Sequence, residues 1–157
     1  MEPPPSIPPG PGVPLAGLDP GRSKCGLVLT DPCRRSVEQA LVLPPEQAWQ
    51  ALQRWRRERG LEAVVLGNGT GSGPWRERLT PRLRVHTVEE RGTTLAARER
   101  YWQLEPPRGW RRLLPRGLRQ PPRDWDDVVA QLLVERWLGH ALARPGGASG
   151  LRGGPAR

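Results

Sequence analysis

Short apolar runs separated by turn residues dominate the first third of the chain. Residues 13–19 form one run, which ends in the turn signal Asp19-Pro20-Gly21, and residues 25–29 form the next. Residues 36–43 alternate in a strand-like pattern until Pro44-Pro45 stops them. The pattern predicts three antiparallel strands, of which the first two are joined by a tight turn.

The spacing of apolar residues becomes helical after these prolines. Ala48, Leu52 and Trp55 recur on one face of residues 46–59, and Gly60 supplies the stop. The next elements are a buried strand at 61–66, a glycine-rich loop at 67–73, a short helix at 74–79 and a strand at 83–88. Because a strand that follows a helix favours a parallel crossover, the pattern predicts a mixed sheet with helices against it.

The last part of the chain is predicted to hold two further helices separated by an arginine-rich loop. Gly92-Thr93-Thr94 precedes a helix at about 95–104, and residues 106–123 form the loop. Asp124 is placed to cap the final helix. That helix is expected to bury one face, made of Val128, Leu132, Leu133 and Trp137.

Length and composition restrict this α/β protein to a single domain. Of 157 residues, the segments 1–14 and 145–157 are rich in proline and glycine and are expected to be disordered tails. Residues 15–144 have an ordinary domain length. No apolar run approaches the roughly 20 residues that span a bilayer, so no membrane association and a cytoplasmic location are expected. Cys25 and Cys33 match no metal or redox motif and are expected to be free thiols.

Acidic residues stand at three places that a parallel sheet can bring together. Asp19 ends the first strand, Glu89 and Glu90 follow the fifth, and Asp126 and Asp127 begin the last helix. Functional groups collect at the carboxyl ends of parallel strands, so these acids can converge. Each also has a structural interpretation. Asp19 can initiate a turn, the glutamates can be solvated charges, and the helix acids can complement the helix dipole.

Three segments resemble RuvC/YqgF-type proteins of the RNase H-like superfamily. Residues 15–28, with Asp19-Pro20-Gly21 followed by a glycine, resemble the opening hairpin of that family. Residues 88–94 are similar to its Asp-Glu-Arg-x-[Ser/Thr]-Thr segment, with Glu89 in place of the usual Asp. Residues 125–133 resemble the start of its final helix. The segments occur in family order across most of residues 15–138.

The resemblance implies an RNase H-like five-stranded sheet of order 3-2-1-4-5 and a metal-dependent nuclease. It implies that Asp19, Glu90 and Asp126 hold Mg²⁺ or Mn²⁺, with Asp19 central and Asp127 competing with Asp126 for the helix position. Mg²⁺ prefers oxygen ligands, and two ions about 4 Å apart can hold the attacking water and the leaving oxygen of a phosphodiester. The chain departs from the RuvC branch at the end of the fourth strand. There Asn68 replaces a glutamate, as in YqgF-type proteins, which puts metal-dependent activity in question.

The positive charge is concentrated near the predicted loop. Residues 98–123 hold eight arginines against two glutamates, a local +6 of the chain's +9. Arginine beside tryptophan suits phosphate contact and base stacking, whereas a solvated loop with its tryptophans on the core is the structural alternative. The predicted nucleic-acid contacts are Arg98, Arg108, Trp110, Arg111, Arg112, Arg116 and Arg119. The glycine-rich loop lacks the Gly-Lys-[Ser/Thr] of a P-loop, so a nucleotide site is disfavoured.

The function that follows is a YqgF-like nuclease that processes the precursor of small-subunit ribosomal RNA. A Holliday junction resolvase and a catalytically weak nucleic-acid-binding module of the same fold are the alternatives. The sequence does not decide between structured RNA and branched DNA as the substrate, because the named residues contact phosphate or metal and none contacts a base. It also does not decide between a monomer and a homodimer.

Overall fold

The computed structural model describes residues 12–69, 71–105, 113 and 125–144. A five-stranded mixed sheet has the order β3-β2-β1-β4-β5, which confirms the predicted RNase H-like arrangement. The strands are β1 (Ala16–Asp19), β2 (Cys25–Thr30), β3 (Val37–Leu43), β4 (Ala63–Gly67) and β5 (Arg84–Val88). The helices are α1 (Pro45–Arg59), α2 (Ser72–Leu79), α3 (Thr93–Leu104) and α4 (Asp126–Leu138).

The pairing of the strands changes direction at the centre of the sheet. β1, β2 and β3 pair as antiparallel neighbours, whereas β4 pairs parallel to β1 and β5 pairs parallel to β4. The carboxyl ends of β1, β4 and β5 therefore lie at one edge. Because β2 runs the opposite way, its first residues lie at that edge too, where Gly26 pairs with Asp19.

Both faces of the sheet are covered by helices, which accounts for the complete burial of β2. On one face Leu18, Leu27 and Leu66 pack with Leu52 and Trp55 of α1. Alternation along the strands sends the other set of side chains to α4, and the residues in this second layer include Val28, Val65, Ala130, Leu133 and Val134. Burying one such leucine contributes about 1.5–3 kcal/mol, so the two layers supply most of the stabilisation.

The ends of α1 follow the residue types that the sequence places there. Pro45 occupies the first helical position, where its fixed φ suits the helix and its missing N–H costs nothing. Gly60 ends the helix with φ of 66°, a left-handed conformation that glycine adopts without strain. The predicted buried stripe of Ala48, Leu52 and Trp55 is confirmed.

The final helix differs from the prediction in two respects. It begins at Asp126, so Trp125 and not Asp124 holds the N-cap position. Asp124 itself lies outside the described residues. Trp137 is 43 % exposed and stacks on His86 with ring centroids 4.1 Å apart. Trp137 is left exposed because the sheet and α3 pack against other sides of α4. The sheet covers one side, and α3 covers the side that carries Leu132.

Both cysteines are free thiols, as expected, with Cys25 buried and Cys33 exposed. Within the described residues, no helix combines the length and the apolar character that crossing a membrane requires. Of the two expected tails, residues 1–11 and 145–157 lie outside the described residues.

Candidate active site

Three carboxylates occupy the sheet edge at which the parallel strands end. Asp19 is the last residue of β1, Glu90 follows β5 by two residues, and Asp126 is the first residue of α4. Burial raises the pKa of Asp19 to about 7, and the charges of Asp126 and Glu90 contribute to the rise in that order. Each of the two neighbours is close enough to act on Asp19 electrostatically, so all three acids share this edge.

Asp126 reaches this position because α4 begins directly against β2. A Cβ atom on Gly26 would overlap the carbonyl of Asp126 and approach the backbone nitrogen of Asp127. Gly26 is also the partner of Asp19 in the β1–β2 ladder. The absent side chain at Gly26 therefore lets the start of the helix lie beside the end of β1.

Glu90 is positioned by the glycine-rich loop after β4. The side chain of Glu90 lies against Gly67 and Gly69, and a Cβ atom at either glycine would collide with it. The Asn68 Oδ1 accepts a hydrogen bond from the Glu90 backbone N–H at 3.0 Å, and the Asn68 N–H donates to the Val88 carbonyl at 2.9 Å. The glycine-rich loop therefore positions both the side chain and the backbone of Glu90.

Asn68 is the functional residue that the sequence pattern did not identify as such. From the sequence, Asn68 was noted only as the residue that replaces a glutamate of the RuvC branch at the end of the fourth strand. In the structure its side chain ties the end of β4 to the segment that carries Glu90. An asparagine between two glycines, directly after a buried strand, was the available signal.

Asp127 has a different environment from Asp126. Its Oδ2 lies 3.2 Å from Arg144 Nη1, and the side chains of Arg144 and Asp127 are 3 % and 4 % exposed. The Arg144 Nε donates to Gln131 Oε1 at 2.6 Å. Asp127 is not among the groups that raise the pKa of Asp19. Its pairing therefore favours Asp126 as the acid of the site and gives Asp127 a structural role.

Most of the predicted nucleic-acid contacts fall in the arginine-rich segment before α4. Arg98 is half-buried on α3. The others, Arg108, Trp110, Arg111, Arg112, Arg116 and Arg119, lie outside the described residues.

The carboxylates of Asp19, Glu90 and Asp126 are the type of ligand that a hard divalent cation prefers. Asp126 and Glu90 both disfavour ionisation of Asp19, and the three carboxylates together offer oxygen ligands with excess negative charge. Within residues 12–69, 71–105 and 125–144, however, no three Asp, Glu, His or Cys side chains are grouped closely enough to hold one ion together.

A scan against protein-family models and a search of curated protein sequences found no match for this chain.

Proposed function

We propose that the protein is a metal-dependent nuclease that hydrolyses nucleic-acid phosphodiesters. The observation that carries this proposal is the meeting of Asp19, Glu90 and Asp126 at one sheet edge, where burial and the other two acids raise the pKa of Asp19 to about 7. A strongly perturbed acid that lies beside other acids is typical of functional sites. An edge built only for stability would gain from keeping such charges apart.

The chemistry follows from the residues present. Asp19, Glu90 and Asp126 are the residues that would hold Mg²⁺ or Mn²⁺, with Asp19 central because both other acids act on it electrostatically. Bound ions would supply charge neutralisation of the phosphodiester and an activated water. Asn68 acts as a positioning residue because it holds the backbone of Glu90.

The nucleic-acid class is proposed from charge and from the resemblance to YqgF-type proteins. The net charge of +9 favours a polyanionic substrate. The asparagine at the end of β4 is the feature that separates this chain from the RuvC branch. We therefore infer processing of the precursor of small-subunit ribosomal RNA in the cytoplasm, by a monomer or a homodimer.

The first test is cleavage of small-subunit ribosomal precursor RNA and of a four-way DNA junction with Mg²⁺ or Mn²⁺. Asp19→Asn keeps the side-chain volume and one oxygen but removes the charge that holds cations, so cleavage should fall about a hundredfold or more while binding survives. Glu90→Gln and Asp126→Asn should behave alike. Glu77→Gln, an exposed acid on α2, is the matched control and should cleave at the wild-type rate.

The outcomes separate the candidate functions. Cleavage by Asp19→Asn at the wild-type rate would show that the three acids are not the site. Preferential cutting of the junction, together with a two-fold dimer by mass measurement across concentration, would establish the resolvase instead. Metal-independent binding of both nucleic acids without cleavage would establish the binding module, which the spacing of the described acids favours as second candidate.

A further inference from the structure

A basic groove lies along β5, away from the carboxylates. Its volume is about 890 Å³, and it is formed by β5, the end of α2, and the segment that joins α1 to β4. Its charged lining residues are Arg56, Arg76, Arg82, Arg84 and Glu62. Four guanidinium groups against one carboxylate give the lining a formal charge of about +3.

The arginines of this groove are exposed. Within the part of the chain that the structure describes, none of the four forms an ion pair. Other arginines nearby do, since Arg78 pairs with Glu46 and Arg59 with Glu38. The groove therefore concentrates positive charge that no carboxylate of the described residues pairs with, and such a surface raises the local concentration of anions.

Three of the guanidinium groups contact neighbours that leave their charge unchanged. The Arg56 Nη1 donates to Gln53 Oε1 at 3.3 Å. The Arg76 Nη2 donates to Thr87 Oγ1 at 3.3 Å. Arg82 lies over the ring of Trp49, with its Cζ 5.6 Å from the centroid, beside Arg78 at 3.9 Å. Partial ordering before binding lowers the entropy cost when an anion is bound.

The groove is aligned with the candidate active site. Arg84 begins β5, and Val85 and Thr87 also line the groove, so the groove follows the strand whose far end leads to Glu90. At about 3.3 Å per residue, β5 spans roughly 13 Å from Arg84 to Val88, and Glu90 follows two residues later. One extended polymer can therefore contact both places.

We propose that this groove binds the phosphate backbone of a single-stranded nucleic acid that leads into the edge carrying Asp19. A planar guanidinium matches a phosphate with two parallel hydrogen bonds, which favours phosphates over the separate carboxylates of an acidic peptide. A single flexible strand can follow a concave groove along a strand edge. The path into the active site rests on the proposed nuclease function, whereas binding in the groove does not.

The test measures binding of a single-stranded RNA of about 20 nucleotides to the full chain, in EDTA to prevent cleavage, over a range of salt. Arg82→Ala/Arg84→Ala should weaken binding about tenfold and lower the log-log salt slope by about 1.4, or about 0.7 for each phosphate that is no longer neutralised. Arg35→Ala/Arg57→Ala removes the same charge from exposed positions outside the groove and should leave the slope unchanged. Arg82→Lys/Arg84→Lys, a milder change, should keep the slope but weaken binding.

The results distinguish this proposal from the nuclease proposal. Equal weakening by the groove pair and the control pair would overturn the groove site, since only overall charge would matter. Displacement of the RNA by poly-glutamate at equal charge concentration would also overturn it. If the wild type shows no cleavage and Arg82→Ala/Arg84→Ala still lowers the salt slope, the groove proposal holds and the nuclease proposal is wrong. If cleavage depends on Asp19 and Arg82→Ala/Arg84→Ala binds RNA as the wild type does, the nuclease proposal holds and the groove proposal is wrong.

Discussion

At the scale of single residues, the protonation of Asp19 couples the site to pH. Burial and two neighbouring acids raise its pKa from 3.8 to about 7. The folded protein therefore binds this proton more tightly than the unfolded chain does. The stabilisation is complete below about pH 4 and is lost as the pH rises through about 7, because the carboxylate then ionises beside like charges.

Asp19→Asn should consequently stabilise the protein at about pH 8 and leave its stability almost unchanged at about pH 4. The gain at the higher pH is about 1–3 kcal/mol, after allowance for the solvent screening of a half-buried group. Thermal unfolding of wild type and variant at both pH values measures it. Glu77→Gln serves as the exposed control, and an equal melting temperature for wild type and Asp19→Asn at the higher pH would contradict the electrostatic assignment.

Protonation also predicts the pH dependence of metal binding. A cation competes with the proton for Asp19, so affinity for Mn²⁺ should rise between about pH 6 and pH 8. Titration of the chain with Mn²⁺, followed by paramagnetic relaxation of water, measures this. Asp19→Asn should abolish the rise, and a pH-independent affinity in the wild type would place the metal on other groups.

The adjacent acids of α4 should respond to substitution in opposite ways. Asp127→Ala leaves the guanidinium of Arg144 buried without its acid partner and should destabilise the protein by about 3 kcal/mol. Asp126→Ala should not destabilise it above neutral pH, since it removes a charge that opposes Asp19. Chemical denaturation of the two variants tests this pair, and matching decreases in stability would mean that both acids are structural.

At the scale of elements, the site depends on the close contact of α4 with the sheet. Gly17 and Gly26 both face α4, where a Cβ would meet Val134 and Asp126 respectively. The far end of α4 is held by a polar network. Glu135 Oε2 accepts hydrogen bonds from the Leu142 N–H at 2.5 Å and from Arg100 at 3.3 Å. The helix that carries Asp126 is therefore fixed at both ends.

Gly26→Ala should displace the start of α4 and destabilise the protein by about 2 kcal/mol or more, because the obstructing atoms are backbone. Gly73→Ala is the matched control, since nothing lies within 4 Å of its added Cβ and alanine favours the helix. Gly26→Ala should also lower the cleavage rate. Full stability and activity in Gly26→Ala would show that α4 does not need this approach.

At the scale of the whole molecule, charge is distributed unevenly around the sheet. The acids gather at the carboxyl edge, and the groove arginines follow β5. The arginine-rich segment, whose central part lies outside the described residues, carries most of the remaining formal charge. A long polyanion could contact the basic regions in succession on its way to the acids.

Removing charge from the arginine-rich segment should act in the same way as removing it from the groove. The triple variant Arg111→Ala, Arg112→Ala and Arg116→Ala should lower the log-log salt slope for single-stranded RNA by up to about 2.1, or about 0.7 for each arginine that neutralises a phosphate. Fluorescence anisotropy across salt concentrations measures the slope. A slope equal to that of the wild type would make this segment a solvated elaboration without a binding role.

The order of elements and the fold class could be predicted from the sequence because both follow from local patterns. Alternation, helical spacing and the breakers Pro44 and Gly60 are properties of short segments, and they predicted β1–β5 and α1 to within a few residues. The antiparallel start and the parallel crossover follow from the same order. The position of Asp19 at the end of β1 could likewise be predicted from its neighbours, because Asp19-Pro20-Gly21 is a turn signal.

Only the tertiary structure decided which acids meet and what holds them. Asp126 and Asp127 are adjacent and chemically alike, yet one acts on Asp19 and the other pairs with Arg144, because the rotation of α4 against Gly26 is a property of packing. The hydrogen bond between Asn68 and Glu90 joins residues 22 positions apart. The exposure of Trp137 likewise depends on α3, whose packing on α4 no spacing within α4 encodes. A local pattern records which face of an element is apolar, but contacts between distant segments depend on the shape of the assembled layers.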